Sequence, residues 1–162
     1  LILSVSVFAD QYKLTNEFLA PFPSQPTYLG ESSYGPLTVR AYSYTDEINN
    51  IIFTATYPTT RVQYVPSDVN QILLDHVKGS LSIYTNARLI QAQRTRKNNH
   101  ESILFEARYE INNLPGIHFR KFGIAVYAHR GIYRWTVTDI PGRSTMDAKQ
   151  IFDNYLSSVL IK

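Results

Sequence analysis

From Ile103 to Thr138 the sequence keeps a period of two that a helix could not use. Ile103, Phe105, Ala107, Tyr109 and Ile111 alternate with Glu106, Arg108 and Glu110, which puts one apolar row on one face of a strand. Phe122, Ile124, Val126 and Ala128 repeat the pattern within residues 119–128, as do Tyr133, Trp135 and Val137 within 132–138. The turn signals Asn112-Asn113-Leu114-Pro115-Gly116 and His129-Arg130-Gly131 separate these runs, so the strands follow one another as hairpins. Twelve Tyr and eight Phe in 162 residues favour the same reading, since aromatic side chains fit a pleated, half-buried surface.

More strands precede this block. Leu37, Val39 and Ala41 alternate with Arg40, Tyr42 and Tyr44, turn residues fill 46–50, and residues 51–57 read IIFTATY, a second hairpin. Residues 87–94 are the weakest strand, closed by Lys97-Asn98-Asn99-His100. Between the two groups Pro66-Ser67-Asp68 announces a helix with Ser67 as its cap. Val69, Ile72, Leu73, His76 and Val77 form its apolar stripe. The helix ends at Gly79 or runs on to Tyr84. A closing helix opens at Ser144-Thr145-Met146-Asp147, with Ser144 as cap, and shows Ala148, Ile151, Phe152, Tyr155, Leu156 and Val159 on one face. The plan is α+β: a single twisted antiparallel sheet covered by helices.

Residues 1–9, LILSVSVFA, are uncharged, with Val7 and Ala9 at the −3 and −1 places of a small-residue cleavage site. They read as the end of a secretory signal peptide, with a first strand as the alternative. The expected mature unit is one domain over residues 10–162, periplasmic or secreted. No apolar run approaches the roughly 18 residues of a membrane span. The absence of cysteine excludes a disulfide scaffold and thiol chemistry within this sequence.

A lead-in with PFPSQP, a tyrosine-rich hairpin and a helix begun by Pro-Ser-Asp come first in order. LPGIHFR, GIYRWTV and a closing IFDNYLSSVLI follow. Over residues 17–162 this order resembles the PsbP-like superfamily, which includes photosystem PsbP proteins, small exported bacterial proteins and a yeast Ran-binding import factor. The resemblance implies an α/β/α sandwich and a role in binding or assembly without catalysis. It carries no functional residue across, because no metal-ligand or catalytic motif is present to match.

The residues themselves point away from catalysis. His76, His100, His118 and His129 form no H-x-x-x-H or H-x-H pair, so neither metal nor cofactor is expected. His76 reads as a core-edge residue. Gly30-Glu31-Ser32-Ser33-Tyr34-Gly35 is not a nucleophile elbow and reads as a flexible turn. A hydrolase would need a serine or carboxylate close to His118 or His129 in a cleft.

Charge is uneven along the chain. Residues 1–76 hold three bases and seven acids, net −4, and residues 77–162 hold thirteen bases and six acids, net +7. Arg94, Arg96 and Lys97 form the densest cluster, with Arg120 and Arg130 on later strands. Tyr109, Tyr127 and Trp135 lie among these bases, but Glu101, Glu106 and Glu110 interrupt them, so nucleic acid is not the expected partner. An anionic envelope or secreted protein, or an anionic membrane surface, suits the cluster better. The expected function is partner binding through this basic hairpin. The alternative is a small-molecule carrier whose groove, between sheet and helix, is lined by Tyr42, Tyr44, Tyr57, Tyr127 and Tyr133.

Overall fold

The computed structural model describes residues 9–34, 37–63 and 66–162. Residues Leu1 to Phe8 of the expected signal peptide, and Gly35 of the expected glycine-flanked turn, lie outside them. Among these residues ten strands and two α-helices follow in the order β1 (Asp10–Lys13), β2 (Phe18–Phe22), β3 (Thr27–Tyr34), β4 (Leu37–Asp46), β5 (Ile51–Pro58), α1 (Val69–Leu81), β6 (Thr85–Lys97), β7 (His100–Ile111), β8 (Leu114–Ala128), β9 (Gly131–Asp139), α2 (Ala148–Tyr155) and β10 (Leu160–Ile161). The seven-stranded antiparallel sheet runs β3-β4-β5-β9-β8-β7-β6, and β1-β2-β10 form a small second sheet. The expectation of an antiparallel α+β plan holds. The expectation of one sheet does not, because the Pro-rich lead-in folds back as two paired strands.

Alternation decides what each face of the large sheet meets. Phe53, Ala55, Ile124, Val126, Tyr133, Trp135 and Val137 pack with Phe18, Phe22 and the α2 residues Ala148, Ile151 and Phe152. On the opposite face Ile103, Phe105, Ala125 and Ile132 pack with Leu73 and Val77 of α1. Trp135, Phe53, Leu73 and Val77 are fully buried in these two clusters. Gly123 is required by this packing, since a Cβ there would stand 2.4 Å from the Phe105 ring.

Both helices begin one or more residues later than the sequence signals placed them. Asp68, not Ser67, caps α1 by accepting from the Gln71 amide at 3.0 Å. Asp147, not Ser144, caps α2 by accepting from the Lys149 and Gln150 amides. Ser144 is committed elsewhere: its Oγ accepts from the Ile140 amide and donates to the Asn50 carbonyl, both at 2.7 Å. Gly79 lies inside α1, which ends at Leu81. The apolar face expected on a single long closing helix is split: α2 stops at Tyr155, a 3₁₀ turn covers Leu156–Ser158, and Val159 leads into β10. Leu114-Pro115-Gly116 belongs to β8, and Gly30 to Tyr34 belongs to β3, where pairing with β4 holds it extended around a bulge.

Candidate functional site

Strand register sorts the five predicted contact residues into two ends of the large sheet. The β6–β7 turn, Asn98-Asn99, and the β8–β9 turn, His129-Arg130, lie side by side, with the rings of His100 and His129 5.6 Å apart. All four turn residues have positive φ, between 50° and 66°, as two-residue hairpins demand. His129 and Arg130 adopt it without glycine, a local strain of about 1 kcal/mol or more per residue. Neighbours fix this tip. The Val62 amide donates to the Arg130 carbonyl at 2.8 Å, and the His129 ring meets the Lys162 carbonyl.

Within this end the bases differ in what holds them. Arg94 is exposed and pairs with no carboxylate among the described residues. Arg96 is also exposed, but donates to Glu101 at 3.1 Å and to the Asn99 carbonyl at 2.6 Å. Lys97 turns to the other face, where its Nζ donates to the Leu156 carbonyl at 2.8 Å. Burial there pulls its pKa below the ordinary lysine value. Arg130 is exposed and reaches the Gln63 carbonyl at 3.5 Å. The same end holds Arg61, which donates to Tyr133 Oη at 3.0 Å and to Glu17 at 3.2 Å.

Arg120 is not part of this surface. Its register partner is Asp139, at the far end of β9 from the tip, and its guanidinium grips that carboxylate at 3.1 and 2.7 Å. Arg94, Arg96 and Arg130 are the predicted contact residues that remain both exposed and together.

The five tyrosines do not line one groove. Tyr42 and Tyr57 stack at 6.2 Å, and Tyr44 tilts against Phe53 at 6.4 Å, all on the α2 face. Tyr127 sits on the opposite face with the α1 cluster. Tyr133 is buried and donates to Glu17 at 2.7 Å; burial raises its pKa to about 12, while its bond lowers that of Glu17. Tyr57 and Tyr133 do share an open, polar cleft of about 490 Å³ with Thr15, Arg40, Thr59 and Arg61. A cleft between sheet and α2 is smaller, about 160 Å³, and Phe105, Phe122 and Phe152 are the aromatic residues of its lining. Sequence periodicity had no means of finding it, because its walls come from three strands and a helix.

Trp135 and Tyr109 are buried and offer no ring to a base. His76 is on the buried side of α1, where desolvation and the Arg134 charge lower its pKa to about 3. His118 reaches Glu110 at 3.3 Å on an exposed stretch of strand. Among the described residues no three side chains of metal-ligating type converge.

Comparison with solved structures identifies the architecture as a PsbP-like fold. The solution structure of cyanobacterial PsbP (CyanoP) from Synechocystis sp. PCC 6803 matches with a TM-score of 0.59 at 14% identity, covering 98% of this chain and 96% of that one. A Pseudomonas aeruginosa protein of unknown function matches with the same TM-score at 7% identity, over 95% and 97% of the two chains. No family model and no curated protein matches the sequence. At these identities the likeness describes the fold alone. No helix among the described residues is long and apolar enough to cross a membrane.

Proposed function

We propose that this chain is an exported, non-enzymatic binding module that meets an acidic surface of a protein partner with the basic end of its large sheet. The observation that carries this reading is the placement of the β6–β7 and β8–β9 tips side by side, with Arg94, Arg96 and Arg130 exposed there. Export rests on the LILSVSVFA segment.

The geometry favours a partner surface over a carrier. The tyrosines are divided between two faces, the cleft that Tyr57 and Tyr133 share is open and polar, and the cleft beside α2 is only about 160 Å³, room for one side chain. An apolar ligand gains little from such a site.

The test is affinity capture from envelope extract with the full chain and its Arg94→Glu/Arg96→Glu variant, matched for folding by circular dichroism. One envelope protein retained by the wild type and lost by the variant is the expected result. Identical recoveries from both would contradict the reading.

A further inference from the structure

Strand β6 is one edge of the seven-stranded sheet, and its two halves differ. Register shifts fall between Thr85 and Arg88 and between Leu89 and Gln91, so the first half is bulged. From Gln91 to Lys97 the pairing with β7 is unbroken. This leaves seven residues, roughly 23 Å, of regular strand whose outer side pairs with no strand among the described residues. Bulges and charges are common protections of an edge; here only the charges guard the second half, and all are positive. Strand β3, at the other edge, is interrupted between Tyr28 and Gly30 and carries Glu31.

The side chains of the straight half alternate. Ala92, Arg94 and Arg96 share the α1 face, and Gln91, Gln93, Thr95 and Lys97 share the α2 face. On the α2 face, Gln91 and Gln93 line the 160 Å³ cleft together with the apolar Leu104, Phe122, Phe152 and Leu156, and Glu106 and the Lys149–Asp153 ion pair add charge to its lining. A space near 150 Å³ holds a group about the size of benzene.

Building on the partner-binding reading above, we infer that residues 91–97 accept an extended acidic segment of the partner as an eighth strand. Its acidic side chains lie beside Arg94 and Arg96, and an apolar side chain enters the cleft between β6 and α2. Backbone hydrogen bonds supply affinity in this mode, and alternate side chains supply selection. Opposite residues in adjacent strands stand about 5 Å apart, so carboxylates on one face of the added strand reach both guanidiniums. The sequence chemistry that fits is an alternation of Asp or Glu with Leu or Phe.

The probe is a labelled nine-residue peptide alternating Glu with Phe and Leu, followed by fluorescence anisotropy on the full chain. Two further peptides carry N-methyl groups on one or the other set of alternate amides, which removes donors from one edge of the peptide and leaves the protein untouched. We expect the parent peptide to bind and one methylated set to lose at least tenfold in affinity. The other set should stay within about threefold of the parent, and the Arg94→Glu/Arg96→Glu variant should lose at least tenfold. Equal binding of both methylated sets, or no binding of the parent peptide, overturns the added strand. If the peptide fails while the capture experiment still separates wild type from variant, the edge proposal falls and the basic surface stands. If capture is also unchanged, both fall.

Discussion

Arg120 closes a two-point grip on Asp139, with Nε 3.1 Å from Oδ1 and Nη2 2.7 Å from Oδ2. Asp139 is buried, and its Oδ2 also accepts from the Ala148 amide at 2.9 Å, tying the first turn of α2 to the end of β9. The arginine is therefore a structural part and its carboxylate a hub. Asp139→Ala leaves a helix amide without its acceptor and exchanges the two-point grip on Arg120 for the more distant Asp147 carboxylate, 3.5 Å away. The cost should be about 3 kcal/mol, at the low end for a broken buried pair because Arg120 is partly exposed. Urea unfolding measures it. Arg94→Ala, by contrast, should change stability by less than about 0.5 kcal/mol.

Gly123 marks a close approach between strands on the α1 face. An added Cβ meets the Phe105 ring at 2.4 Å and Thr136 Cγ2 at 2.9 Å. Gly123→Ala should cost about 1–3 kcal/mol through overpacking. Adding Phe105→Leu should recover part of that loss, a non-additive result that a double-mutant cycle reads directly.

The environment of His76 makes stability depend on pH. Its pKa falls from the ordinary histidine value of 6.5 to about 3 in the folded chain, chiefly through burial and then through Arg134. Below pH 6.5 the unfolded chain takes up a proton that the folded chain refuses, so stability falls as pH drops from 6.5 toward 3 and is level above that window. The His76 contribution has a slope of at most about 1.4 kcal/mol per pH unit. Unfolding free energies of His76→Leu between pH 4 and 7 should show a shallower loss than wild type. Parallel curves would contradict this assignment.

Trp135 joins the two sheets: its Nε1 donates to the Pro21 carbonyl at 3.0 Å, and its ring stacks on Phe152 at 5.4 Å. Trp135→Phe keeps an aromatic ring but leaves that buried carbonyl without its donor, a loss of about 2 kcal/mol. Circular dichroism during denaturation measures it, since the substitution removes the only tryptophan.

Much of the large sheet was legible because alternation is a local signal. Strands β4, β5, β7, β8 and β9 announce themselves within single runs, and so does the stripe of α1. The small sheet does not. β2 contains Pro21 and pairs with β10 only at Leu19–Leu160 and Phe18–Ile161, a contact across more than 140 residues that leaves no trace in either segment. Pro21 is tolerated because β10 stops short of it. The site was legible in part for a related reason. Sequence spacing brings Arg94 and Arg96 together, but Asp139 lies 19 residues from Arg120, and only the β8–β9 register makes them partners. The tyrosines divide for the same reason, with Tyr127 on the opposite face from Tyr42, Tyr44, Tyr57 and Tyr133.

The most direct test of the binding surface is a photo-crosslinking amino acid placed at position 94, in cells, beside the same label at Ile83 and at Leu114. Both controls are exposed, and both lie toward the far end of the large sheet from the tip. The account predicts a discrete adduct to one protein from position 94 and none from positions 83 and 114. Adducts from the far-end positions with none from 94 would contradict it.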